Sequence, residues 1–319
     1  MSEQEDLIIK ICRLHFIKNL SHVEIANQLK LSRFQVGRLI RKAFDDGIAT
    51  IKINESISMD TALEKYLEKE FAITTAMVVK NIGLQEHEMK EKIGFVTANY
   101  LKNIIKNGDT IGSTWGTTVR EVINALPNIL KKNIEVIQIG GGAKNTIMDI
   151  DCRELSIKLA SKLNATTLLL NAPMIVDNKE TCLTLLNDSN IKHIFSSYGN
   201  INIAIMGIGS LSPIPTKSLI ESGNISLKEC EHLKSLGAVG NLVAHFFDIN
   251  GNFIHSDIES RLIAIPIETI RRIPFTIAVG GGLEKAMAIL GLLRSNIIKF
   301  IITDSTAVEE IIKLHKKNK

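Results

Sequence analysis

Hydrophobic positions in the first fifty residues recur at helical spacing. In LIIKICRLHF, Leu7, Ile8, Ile11, Leu14 and His15 share one stripe. Ser21 followed by Glu24 has the S-x-x-E form of a capping box, and Val23, Ile25, Ala26 and Leu29 supply the apolar positions of a short helix. Ser32 caps a second helix, with Val36, Leu39, Ile40 and Phe44 facing inward and Gly47 ending it. Ile48 to Ile53 then reads Ile, Ala, Thr, Ile, Lys, Ile, which predicts a short strand or wing. Asp60 to Phe71 forms an amphipathic helix with Leu63, Tyr66, Leu67 and Phe71 on one face.

From Ala76 onward the period changes. Strand-like runs at 76–79, 110–112, 134–139, 167–170, 203–208, 242–247, 276–279 and 300–303 alternate with helical stretches. The latter fall at 86–106, 117–126, 152–163, 226–236, 283–293 and 305–316. This alternation predicts an α/β domain with a largely parallel sheet. The division expected is residues 1–55 for the helical unit and 56–319 for the α/β unit.

Composition narrows the class. With 319 residues, 45% hydrophobic and 23% charged, the chain is an ordinary globular sequence rather than a disordered one. No run approaches the ~20 apolar residues of a spanning helix, so no membrane association is expected. The start, MSEQED, lacks the basic and apolar stretches of a secretory signal, which points to the cytoplasm. Cys12, Cys152, Cys182 and Cys230 form no CxxC pair, so neither a zinc site nor a disulfide framework is indicated. No metal or other cofactor is expected.

Charge then singles out the N-terminal helices. Residues 20–44 carry Lys30, Arg33, Arg38, Arg41 and Lys42 against one acid, Glu24. That surplus equals the net charge of the whole chain, +4, so the remainder is neutral. Two short helices joined by about three residues, the second cationic, form the helix-turn-helix pattern, with small Ala26 at the crossing. A local cationic helix is the footprint that DNA binding requires, although a solvated basic face has the same composition. The candidates are Ser21 at the first cap, then Ser32, Arg33, Phe34 and Gln35 at the N-terminal end of the second helix, where side chains reach base edges. Arg33 and Gln35 have the bidentate chemistry for guanine and adenine, whereas Arg38, Arg41 and Lys42 suit phosphates. Lys30 stands where many such turns have glycine, which requires a left-handed backbone or a different turn.

A second chemistry lies in the loops after the strands, where ligands of parallel sheets bind. The run 110–112 enters GSTWGTTVREVINAL. Backbone amides at the opening of this helix, with the hydroxyls of Ser113, Thr114, Thr117 and Thr118, have the makings of a phosphate cradle. The spacing is neither a P-loop nor GxGxxG, and a plain tight turn is the alternative. Three further strands run into Gly140-Gly141-Gly142, into Gly207-Ile208-Gly209-Ser210 and into Gly280-Gly281-Gly282-Leu283-Glu284-Lys285. Four such turns can line one crevice. Lys285 either meets a ligand phosphate or is solvated. Asp248 in FFDINGN either accepts sugar hydroxyls or forms the turn before Asn250-Gly251.

In order, the helix-turn-helix at 20–42, GSTWGTTV at 112–119, the glycines at 140–142, GIGS at 207–210, FFDINGN at 246–252 and AVGGGLEKAMAILGLLR at 278–294 resemble the SorC family of bacterial transcriptional regulators. The resemblance spans nearly the whole chain. It implies a winged helix-turn-helix domain joined to a Rossmann-like α/β effector and oligomerisation domain similar to sugar-phosphate isomerases. It also implies double-stranded operator DNA and a sugar phosphate as partners, and a homodimer or homotetramer. By motif, Gly116, Thr117 and Thr118 would hold phosphate, with Gly112, Ser113 and Thr114 as further effector-binding candidates in the same turn. Gly141, Gly142, Gly207 and Gly209 would line the site, Lys285 would pair with the sugar, and Asp248 would orient hydroxyls. Where some relatives have Lys or Arg before the Gly-Gly pair, this chain has Gly140, which argues against a covalent effector. Lys144 and Arg153 are then the candidates for a second phosphate.

The expected function is a DNA-binding regulator of a carbohydrate operon, not an enzyme. The rival is a sugar-phosphate isomerase or deaminase with a helical extension. It needs an acid–base pair. Asp248, Asp304, His245 and His255 are the available groups, and they form no coherent pair in the sequence.

Overall fold

The computed structural model describes residues 3–46, 48–49, 57–144, 150–215 and 217–317. The chain divides into two compact units, Met1–Ser56 and Ile57–Lys319.

In the first unit, α1 (Glu3–Cys12) continues into a π turn at Arg13–Ile17, followed by α2 (His22–Leu29) and α3 (Arg33–Asp45). Reciprocal capping boxes start both later helices. The Ser21 N–H donates to Glu24 Oε2 at 2.8 Å, and the Ser32 N–H donates to Gln35 Oε1 at 2.7 Å. Lys30 ends α2 at φ 55°, ψ 43°, the left-handed of the two alternatives. For a residue with a Cβ that costs roughly 1–2 kcal/mol. Ile8, Ile11, Ile25, Ala26, Val36, Leu39, Ile40 and Ala43 form the core, with Phe44 half-buried against them. Val23 departs from expectation, since it is 51% exposed and points away from that core. Gly47 and residues 50–53 of the expected wing lie outside the described residues.

The second unit runs α4 (Thr61–Phe71), β1 (Thr75–Val79), α5 (Glu86–Ile104), β2 (Thr110–Ser113), α6 (Thr117–Ala125), β3 (Glu135–Gln138), α7 (Cys152–Leu163) and β4 (Thr166–Leu168). Then come α8 (Lys179–Asn187), α9 (Ser189–Ser197), β5 (Ile203–Ser210), α10 (Lys217–Glu221), α11 (Leu227–Ser235), β6 (Ala238–Leu242) and β7 (His245–Asp248). The chain closes with α12 (Asp257–Ser260), α13 (Ile267–Arg272), β8 (Phe275–Val279), α14 (Ala286–Arg294), β9 (Phe300–Asp304) and α15 (Ser305–Lys317). The main sheet has the order β1-β9-β8-β5-β2-β3-β4, with every pair parallel. The β6–β7 hairpin adds antiparallel to β5.

Alternation along the central strands sorts their side chains into two cores. Ile203, Ile205, Ile277, Val279 and Ile302 belong to one buried cluster, and Ala204, Met206, Ala278 and Ile301 to the other. A parallel sheet must cover both faces, which explains why these strands read as unbroken apolar runs. From β2 the chain proceeds outward through β3 to β4. From β5 it proceeds the opposite way through β8 to β9. The boundary between β2 and β5 is therefore a topological switch point, where two loops diverge and leave a crevice.

The run 242–247 is not one strand. Val243 at φ 52° and Ala244 at φ 61° make a two-residue turn, and Leu242 pairs with His245 across it.

Candidate effector cleft and DNA-facing helix

At the β2/β5 boundary a cleft is lined by Trp115, Gly116, Thr117, Thr118, Gly207, Ile208, Gly209, Leu219, Asn241 and Lys285. Its empty volume, counted out into the open mouth, is about 430 Å³. Gly116, at φ 127°, is the N-cap of α6, and no side chain caps this helix. Its first amides and the positive end of its dipole thus face the cleft, an arrangement suited to an anion.

Two side chains strengthen that assignment. Among the described residues, Thr118 Oγ1 and Asn241 Nδ2 are buried without any hydrogen-bond partner. Leaving such groups unpaired costs on the order of 1–3 kcal/mol each, so a polar guest that pairs both recovers energy the empty protein forgoes. Gly209 makes room for the second, because a Cβ there would overlap the Asn241 carboxamide. The third group is Lys285. It is buried, and its Nζ donates to the Ile208 carbonyl at 2.9 Å. Burial, and secondarily the nearby Lys90 charge, pushes its pKa down to about 8, against the opposing pull of Glu284 and Glu86. A buried ammonium with one neutral acceptor is poised for an anion.

The other expected residues fall elsewhere. Gly112 is buried in β2, where a Cβ would press on Ile139 and Ile201. Ser113 is fully buried, and its hydroxyl reaches only the Thr114 carbonyl at 3.5 Å. Thr114 ties two strands together, donating to the Ile205 carbonyl at 3.2 Å and accepting the Gly207 N–H at 3.3 Å. These three shape the cleft from behind rather than line it. Gly141 and Gly142 are not at the cleft either. The Gly141 N–H donates to Ile263 and the Gly142 N–H to Ala172, and a Cβ on Gly141 would strike the Pro173–Met174 backbone. Gly142 instead borders a separate cavity with Gln138, Asp151, Arg153 and Asn171. There Arg153 donates to Asn171 Oδ1 at 2.6 Å, while Lys144 pairs with Asp177 at 2.8 Å.

Asp248 takes its turn-forming role. Its carboxylate accepts the Asn250 and Asn252 N–H groups, both at 2.9 Å, and the Asn252 side chain at 3.0 Å. It does not line the cleft. Asp304 is likewise internal, holding Gly282 N–H at 2.6 Å, Asn81 Nδ2 at 3.1 Å and the start of α15 through Thr306 N–H at 3.0 Å. His245 is half-buried with Nε2 2.8 Å from the Ile265 carbonyl, its pKa lowered by desolvation, and His255 is exposed beside Glu259. Asn241 and Leu219 are site residues that the sequence pattern did not single out.

On α3, the side chains of Ser32, Arg33, Phe34, Gln35, Arg38, Arg41 and Lys42 are all exposed. Lys42 pairs with Asp46 at 2.9 Å. Ser21 Oγ is engaged with Glu24 at 2.7 Å, and Gln35 Oε1 is held by the cap of its own helix. The Arg33 guanidinium lies over the Phe34 ring, 5.4 Å from its centroid.

Residues 55–313 match the family model described as a "putative sugar-binding domain". The chain belongs to this family, that of the SorC-type regulators. This SorC-type protein is 27% identical to the sorbitol operon regulator of Klebsiella pneumoniae over 98% of its own length and 99% of the relative's. It is 26% identical to the deoxyribonucleoside regulator of Bacillus subtilis, over 97% of this chain and 98% of that one. The crystal structure of the full-length Klebsiella pneumoniae regulator is similar to it with a TM-score of 0.73 at 25% identity, covering 98% and 100% of the two chains. No helix among the described residues is long and apolar enough to cross a membrane.

Proposed function

We propose that this SorC-type protein is a cytoplasmic, DNA-binding transcriptional regulator of a carbohydrate operon, and that a phosphorylated sugar in the β2/β5 cleft sets its affinity for the operator. Residues 1–55 carry DNA binding, and residues 56–319 carry effector binding and assembly into a dimer or tetramer. One observation carries this proposal. An uncapped helix start, an orphan threonine hydroxyl, an orphan carboxamide and a buried lysine all converge on one crevice. The first amides of α6 and the Thr118 hydroxyl take the phosphate, while Asn241 and Lys285 take the rest of the sugar. The effector acts by binding one of two arrangements of the assembly more tightly, with a coupling of roughly 1–3 kcal/mol.

The test is binding of the purified protein to the region upstream of its own gene, titrated with a panel of sugar phosphates at constant salt, because phosphate contacts make DNA affinity steeply salt-dependent. Specific binding that shifts with one member of the panel supports the proposal. Absence of specific binding, with turnover of a panel member, replaces it with the isomerase or deaminase alternative.

A further inference from the structure

Four residues at the start of α3 stand where a recognition helix presents side chains to bases: Ser32, Arg33, Phe34 and Gln35. The capping box engages one acceptor on each of two of them. Ser32 Oγ accepts the Gln35 N–H at 3.2 Å, and Gln35 Oε1 accepts the Ser32 N–H at 2.7 Å. Using Gln35 for a bidentate contact to adenine would open the cap that starts the helix. Arg33 and Phe34 remain.

Phe34 is the more telling of the two. Its ring is 80% exposed, whereas the next most exposed phenylalanine among the described residues stands at 44%. Isolated exposed apolar side chains are common, and Leu130 and Ile82 are as exposed, but Phe34 stands at the leading end of the cationic helix, where covering its ring against a base edge would gain apolar burial. A phenyl ring has no hydrogen-bonding edge. Of the groups that base pairs present in the major groove, only the C5-methyl of thymine is apolar. The Arg33 guanidinium carbon lies 5.4 Å from the centroid of the same ring. Its N–H groups have the chemistry to donate to O6 and N7 of a guanine beside it.

We propose that Phe34 reads the 5-methyl group of a thymine in each operator half-site, beside the guanine engaged by Arg33. The proposal rests on the helix-turn-helix assignment made above and adds the base that is read.

The experiment uses the full-length protein and the operator fragment located by footprinting upstream of its own gene. Each thymine is replaced singly by deoxyuridine, which removes only the methyl group. The wild-type protein is expected to lose about threefold to tenfold in affinity at one thymine per half-site, the effect of exposing one methyl group to water. Phe34→Ala should bind the thymine and uracil operators equally, and Phe34→Leu, which keeps an apolar contact, should restore part of the difference. Because Phe34 is at the surface, unchanged thermal unfolding of both variants shows that the fold is intact. Indifference of the wild type to every thymine-to-uracil change overturns the proposal. So does a Phe34→Ala variant that still discriminates, since another residue then reads the methyl. Failure of the wild type to bind any specific sequence overturns the DNA-binding assignment itself, a distinct result from specific binding without methyl discrimination.

Discussion

Effector affinity should fall as pH rises from 7 to 9, and Lys285 should be the cause. The phosphate of a sugar monoester titrates near pH 6 and is a dianion throughout this interval. An ordinary lysine, at 10.5, also keeps its charge. Lys285 does not, because burial and the Lys90 charge bring it down to about 8. Its charged form is therefore about 90% populated at pH 7 and about 10% at pH 9. If the ligand binds only the ammonium form, affinity drops about tenfold across the interval, equivalent to about 1.4 kcal/mol. The sign follows from the depressed pKa, since the attractive charge is present below pH 8 and lost above it. The assay is calorimetric titration of the effector found in the operator screen at pH 7, 8 and 9, repeated with Lys285→Met. The variant should bind more weakly at pH 7 and show a flat profile. A flat profile in the wild type, or an equal slope in Lys285→Met, would refute the reasoning. Without ligand the same buried charge opposes folding below pH 8, a penalty that fades between 8 and 10.5. The empty Lys285→Met protein should accordingly unfold at a higher temperature than wild type when both are measured at pH 7.

Other outcomes follow from the same geometry. Thr118→Val removes an unpartnered hydroxyl, so the empty protein should keep or gain stability while effector affinity falls about tenfold, measured by thermal unfolding and titration. Gly209→Ala should displace the Asn241 carboxamide and weaken the sugar much more than inorganic phosphate, a comparison that binding competition resolves. Asp248→Ala should lower stability by about 1–2 kcal/mol in denaturant unfolding through loss of its turn bonds, with effector affinity unchanged. Arg33→Ala should relax specificity by about 1–3 kcal/mol at one base, seen as unequal losses across a set of operator variants. An equal loss on every sequence would reassign Arg33 to phosphate contact.

Much of this molecule was legible in its sequence because local signals and tertiary placement agree. The Ser21–Glu24 capping box, the Ser32 cap and the strand-to-helix alternation appear where the pattern puts them, while the reciprocal Gln35 half of the second box is seen only in the structure. Placement across the sheet was less legible. Similar glycine turns follow β2, β3 and β5, yet strand order sends the β3 turn away from the cleft, and strand order is not written in spacing. Asn241 was hidden for a different reason. The β6–β7 turn uses Val243 and Ala244 at positive φ, where a two-residue hairpin usually advertises itself with Asn-Gly or Asp-Gly. With no turn signal, the run from Leu242 to Phe247 has the pattern of one strand, and nothing in the pattern marks the residue before it. Asp248 had two compatible chemistries, and only its three observed hydrogen bonds decide between them. Val23 sits at a helical apolar spacing but on the far side of α2, a face that a single eight-residue helix does not distinguish.

Part of the cleft wall is bare backbone. Gly116, Gly207 and Gly209 line it without side chains, and the space that a Cβ on Gly209 would fill belongs to Asn241. Such a wall can hold an anion in the same way whatever sugar is attached, because peptide amides do not change when residues are exchanged. On the function proposed above, discrimination among sugars falls to the side chains that line the cleft, Asn241 and Leu219 among them. Exchanging one or two of these would then retune the sugar that is recognised while the backbone grip on the phosphate is kept.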